Sequence, residues 1–148
     1  MKKYISYLAS ILMPKNSVVK TDSFKDATDA YNKNNYVKAI ELFRPLATKG
    51  NAAAQWHLGW MYKNGEGVMQ DYKEAALWYQ KAADQGDANS QFTLGLMYSA
   101  GDGVTQDYKE VVKWYRKAGD QGDLGAQFNL ALMYKNGEGV TQDSEESA

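Results

Sequence analysis

Cysteine is absent from the 148 residues, which removes thiol nucleophiles, thiolate metal ligation and disulfides together. Oxidising and reducing compartments both stay compatible with the chain. Histidine is reduced to one residue, His57, too few for a histidine-built metal site. Charge of one sign is lacking too. The 17 basic and 18 acidic residues are interspersed and leave a formal net charge of −1, so there is no basic field to gather nucleic-acid phosphates or an anionic bilayer. The longest apolar stretch, Tyr4 to Met13, is too short to span a membrane, and stable membrane insertion is not expected. What remains is a chain with 44% hydrophobic residues, 11 Tyr, 4 Trp and 13 Gly. That is enough for one domain with a real core and many aromatic packing elements.

Glycine points to the organisation. The unit Asn51 to Gly86 is followed without a gap by a copy at Asp87 to Gly122, and the two agree at 21 of 36 positions. A partial copy at 123–148 keeps Gln127, Leu130, Met133, Tyr134, Gly137, Gly139, Val140, Gln142 and Asp143 in phase. A degenerate first unit, 21–50, lacks the long glycine loop: Tyr31 and Tyr36 stand five apart, where Tyr62 and Tyr72 stand ten apart. The repeat domain is thus expected over 21–148, with units 21–50, 51–86, 87–122 and 123–148. Residues 1–20 lie outside it and fit either a weak export signal or an amphipathic helix with Tyr4, Leu8, Ile11 and Leu12 on one side. Exported and cytoplasmic locations therefore both remain open.

Each full unit reads as helix, glycine turn, helix. Gln55, Leu58, Gly59 and Tyr62 share a face at helical spacing. Gly59 and Gly95 cost about 1 kcal/mol each inside a helix, which calls for a close neighbour as the reason. The pairs Gly65/Gly67, Gly101/Gly103 and Gly137/Gly139 supply residues free to take positive φ. Asp71 and Asp107 open the second helices as N-caps, with Glu74 and Glu110 three residues on. Those helices are expected to bury Trp78, Tyr79 and Ala82, repeated as Trp114, Tyr115 and Ala118. Pro45 falls inside the second helix of the first unit, where it removes a hydrogen bond. Trp56, Phe92 and Phe128 hold one position and are expected as core between units.

The residues Ala54, Gln55, Leu58, Gly59, Tyr62, Gly65, Gly67, Val68, Asp71, Ala75, Trp78, Tyr79, Ala82, Ala83 and Gly86 together resemble the Sel1-like repeat, a relative of the tetratricopeptide repeat. Departures are Ser90, Val111, Gly119 and Ala131 at positions where the pattern has Ala or Gly, and Ser144 where a second helix opens with Tyr. The resemblance implies an all-α fold, a right-handed α-solenoid of antiparallel helix pairs with about seven helices. It also implies a non-enzymatic scaffold or adaptor, bacterial in type, with a protein or peptide as partner.

Two places for a partner follow. By the same resemblance the first helices line a concave groove. The stripes Ala53, His57, Trp60, Asn64, then Asn89, Thr93, Leu96, Ala100, then Gly125, Asn129, Leu132, Asn136 form its floor. Solvated surface without a ligand is the bland alternative. The second place is the end of the stack, where Leu124, Phe128, Leu130, Leu132 and Met133 must divide between the preceding unit and the outside, so self-association there is an expectation as well. No catalytic, metal or cofactor site is expected: no nucleophile signature surrounds His57, and the GEGV and GDGV loops lack the lysine and preceding strand of a phosphate loop. Two other functions stay in view, a dedicated inhibitor or immunity partner of one enzyme or toxin, and a hydrolase acting on cell wall or β-lactams.

Overall fold

The computed structural model describes residues 23–138; the expectations for 1–20 and for positions from Gly139 onward lie outside them. Seven helices are seen among the described residues: α1 (Ser23–Asn32), α2 (Tyr36–Thr48), α3 (Ala52–Asn64), α4 (Tyr72–Asp84), α5 (Ala88–Ala100), α6 (Tyr108–Asp120) and α7 (Leu124–Asn136). They pack in chain order, each on the helix before and the helix after. The result is an all-α solenoid of antiparallel pairs, α1–α2, α3–α4 and α5–α6, with α7 as the first helix of a further unit.

Side chains at the helix ends explain why the boundaries fall where they do. Asn51, Asp87 and Asp123 cap α3, α5 and α7 by accepting from the amides of Ala54, Ser90 and Ala126. Asp71 and Asp107 cap α4 and α6, each accepting two amide hydrogens. An orphan donor satisfied in this way is worth about 1 kcal/mol per cap. The C-termini of α3, α5 and α7 close on Gly65, Gly101 and Gly137 in the left-handed conformation. The tight α1–α2 turn uses Asn34 instead, at φ 60°. Helix α2 runs through Pro45 to Thr48, with the Pro45 carbonyl accepting from Lys49 at 3.1 Å.

The core is a row of three clusters, each of which crosses a unit boundary. Ala39, Phe43 and Ala47 of α2 meet Leu58 and Met61 of α3. Ala75, Tyr79 and Ala83 of α4 meet Leu94 and Met97 of α5 and Trp114 of α6. Val111, Tyr115 and Ala118 of α6 meet Ala126 and Met133 of α7. A unit therefore completes its apolar face only with its neighbour, as a quasi-one-dimensional stack requires.

Polar bonds repeat across the same boundaries. Buried Gln55 donates to the Ala47 carbonyl at 3.0 Å and accepts from Gln85 at 2.8 Å. Buried Gln91 does the same with Ala83 at 3.1 Å and Gln121 at 2.8 Å. Gln127 continues the series to the Gly119 carbonyl at 2.8 Å. Each amide adds a side-chain bond to a carbonyl in the last turn of a second helix, which also accepts from the glycine amide three residues on.

Two packing expectations need correction. Trp78 is half-buried rather than buried like Trp114, which is 1% exposed. The reason is what each meets: Trp78 packs on the cluster of the shortened first unit, Trp114 on that of a full one. Phe128 is not core. It is 66% exposed, beside Leu124 at 78%, whereas Trp56 and Phe92 at the same repeat position are half-buried. Gly125 of the following helix comes against the Phe92 ring, and no described helix does so for Phe128.

Candidate functional site

The first helices α3, α5 and α7 carry the three stripes, and none of the twelve stripe residues is buried. The stripes differ in what they do. In α3, His57 stacks on Phe43 of the preceding second helix, with ring centroids 4.3 Å apart and planes 10° apart. Phe24, Tyr31 and Trp56 surround it at 6.0, 5.8 and 5.1 Å. Its Nδ1 is enclosed and has no hydrogen-bond partner among the described residues, and burial lowers its pKa. This is the environment of a packing residue. His57, expected on the groove floor, is therefore also part of the packing, because its imidazole fills the junction between units one and two. Trp60 is half-buried, stacked on Trp56 at 5.6 Å.

A loop carboxylate sits at the rim of this aromatic cluster. Glu66 follows Gly65, and its Oε2 accepts from the Tyr31 hydroxyl at 2.8 Å. Burial first, and the Glu66 carboxylate second, push the Tyr31 phenol up to about 12. Tyr79, one unit further on, is fully buried with no partner for its hydroxyl among the described residues, and burial raises its pKa. Thr93 donates to the Asn89 carbonyl of its own helix at 2.8 Å, and Asn64 to that of Trp60 at 3.0 Å. Both stripe side chains are thus tied back to their own helix.

At the other end the same positions open into a cleft. Leu96 and Ser99 of α5, Tyr108 and Tyr115 of α6, Asn129, Leu132, Met133 and Asn136 of α7 and Glu138 enclose about 280 Å³. Four of the stripe residues, Leu96, Asn129, Leu132 and Asn136, are brought together here. Ala53, Asn89, Ala100 and Gly125 lie exposed on the stripes without joining it. The cleft floor is the buried Tyr115, whose phenol burial pushes up while the adjacent Asn129 amide partly offsets that push. The contact of Asn129 with Tyr115 repeats that of His57 with Phe43 two units earlier.

The sequence did not single out Ser99, Tyr108, Tyr115, Met133 or Glu138 as site residues. Tyr108, Tyr115 and Met133 recur in every full unit, which marks packing and hides any second role. Glu138 carried a signal that went unused, since Glu66, Asp102 and Glu138 keep an acid between the two loop glycines. Among the described residues no three His, Asp or Glu side chains gather as a metal-ligand set, and no helix is long and apolar enough to cross a membrane. The cleft offers amides, hydroxyls and one carboxylate over apolar walls, a chemistry of binding.

The family model for the Sel1 repeat matches residues 31–51, 52–87, 88–123 and 125–148. Among curated proteins, a component of an ERAD-associated E3 ubiquitin-protein ligase, HRD3 of Candida glabrata, is 40% identical over 60 residues, which are 40% of this chain and 7% of that protein. An exopolysaccharide production negative regulator of Rhizobium leguminosarum is 41% identical over 54 residues, 36% of this chain and 20% of that protein. The chain thus spans a small part of either relative's length. A Sel1 repeat protein from Oxalobacter formigenes superposes with a TM-score of 0.79 at 34% identity, covering 84% of this chain and 51% of that one. A protective antigen of uropathogenic Escherichia coli with an SLR fold gives 0.80 at 38% identity, covering 86% and 28%.

Proposed function

The chain belongs to the Sel1 repeat family, and from that premise we propose that it is a non-enzymatic scaffold whose first-helix face receives a protein or peptide partner. The observation that carries this reading is the cleft between α5 and α7. It converges four stripe residues from two units on one open space and sets polar groups over apolar walls. Such a surface suits an extended segment, with amides and hydroxyls meeting its backbone and Leu96, Leu132 and Met133 meeting a side chain. One curated relative is named as a component of a larger ligase assembly, which supports a part that others assemble around.

The test is capture of a partner from source-cell fractions, followed by calorimetric titration with that partner purified. Wild type is compared with an Asn89→Ala/Thr93→Ala/Asn129→Ala/Asn136→Ala variant that spares the packed His57 and Trp60. A partner bound by wild type and released by the variant is the expected result. Equal binding by both overturns the assignment to this face.

A further inference from the structure

The internal repeat offers a control for what the open cleft is built to hold. At the front of the stack the loop carboxylate Glu66 is met by a donor from the preceding first helix, the Tyr31 hydroxyl, at 2.8 Å. The space beneath is filled by Phe43, His57 and Trp60. At the back the described start of the loop, Gly137 and Glu138, keeps the same backbone arrangement. Glu66 and Glu138 are set by the same backbone bond, to the Met61 carbonyl at 2.9 Å and the Met133 carbonyl at 3.0 Å. Two of the three filling residues, however, have become smaller: Asn129 stands at the place of His57 and Leu132 at that of Trp60, while Tyr115 keeps that of Phe43. On the preceding first helix the copy of Tyr31 is Tyr98, which packs on the middle and last clusters, and the lining receives only Leu96 and Ser99 from that helix. Among the described residues no side-chain hydrogen bond or ion pair reaches the Glu138 carboxylate, and it is the one charged group in the lining.

Resting on the scaffold reading above, we propose that this cleft is a subsite for a basic side chain of an extended peptide. The aliphatic stem of a lysine or arginine lies along Leu96, Leu132 and Met133, and its cationic head meets Glu138 and the Asn136 amide. Charge complementarity selects this occupant: among the described lining residues Glu138 is a lone carboxylate with no cation beside it, which favours a cation, and an apolar stem takes the space that His57 and Trp60 fill at the front. An acidic segment would put like charges together, and a purely apolar one would gain nothing from the carboxylate.

The probe is a set of capped heptapeptides, Ser-Ala-Ala-X-Ala-Ala-Ser, with X as arginine, norleucine or glutamate, titrated into isotopically labelled protein. The arginine peptide is expected to shift the side-chain amide signals of Asn129 and Asn136 saturably. Norleucine at X, or Glu138→Gln in the protein, is expected to weaken binding about tenfold, the loss of one charge-assisted hydrogen bond. Glu138→Gln lies in an exposed loop, and unchanged amide signals elsewhere establish that it is folded. Equal affinity for arginine and norleucine overturns the proposal, as does indifference to Glu138→Gln or the absence of any shift at the cleft. Shifts confined to Asn89 and Thr93 would remove the subsite and leave the scaffold reading standing; a first-helix face silent to every peptide, together with equal partner capture by the quadruple variant, would remove both.

Discussion

His57 shows how a residue's neighbours decide its role. Enclosed by Phe24, Tyr31, Phe43 and Trp56, its imidazole is held neutral, with its pKa below the ordinary value near 6.5 because burial penalises the charged ring. The unfolded chain therefore binds this proton more readily than the folded one. Stability attributable to His57 is complete above about pH 6.5 and declines as the pH falls toward the folded value. His57→Phe should melt like wild type near neutrality and lose that acid-side decline, as melting curves between about pH 7 and pH 5 would show. His57→Ala should cost about 1 to 3 kcal/mol in denaturant unfolding by emptying the junction. Glycines at this scale separate by what they face. A Cβ on Gly95 would meet the Tyr115 ring at 2.6 Å, whereas one on Gly119 would meet the flexible Gln127 at 3.1 Å. Gly95→Ala is therefore expected to destabilise by about 1 to 3 kcal/mol. Gly119→Ala should be neutral or stabilising by up to about 1 kcal/mol, since Ala83 already occupies the equivalent place beside Gln91.

Among the elements, the second helices join units and the loops lock them. Trp114 lies at the centre of the middle cluster, and its indole donates to Glu110 at 3.1 Å. Trp114→Ala should cost about 3 to 5 kcal/mol and Trp78→Ala distinctly less, because the half-buried Trp78 has less contact to lose; equal losses on thermal or denaturant unfolding would contradict this difference between the boundaries. The second loop glycine has a role that turn chemistry did not reveal. A Cβ on Gly67 would meet the Tyr36 carbonyl at 2.6 Å, and Gly103 faces Tyr72 in the same way. Each loop is thus seated on the start of the preceding second helix, and this glycine serves close approach between units as well as its own positive φ.

For the whole molecule, the stack is uneven along its length. On the first-helix face the chain's own rings fill the space around His57, while α5 to α7 present the cleft together with exposed Leu124 and Phe128. Phe128→Ser should change stability by less than about 0.5 kcal/mol, as an exposed position does. Phe92→Ser at the equivalent, covered position should cost more than about 1 kcal/mol. Comparing the two by chemical denaturation tests directly whether a unit is stabilised by the one that follows. The helices, their caps at Asp71 and Asp107 and the glycine loops were legible in the sequence, because local propensity, capping and period repeat identically in each copy and need no distant partner. Helical spacing gave the stripe positions, but not that His57 packs on the preceding unit or that Phe128, expected as core, lies exposed. The sequence by itself determined the repeat of helix, glycine turn and helix through its periodicity, and the family through the residues that match its pattern. Only the tertiary structure decided which copies of one position are filled, covered or left open, because burial in a stack depends on the side chains of the neighbouring unit, and those differ at each boundary.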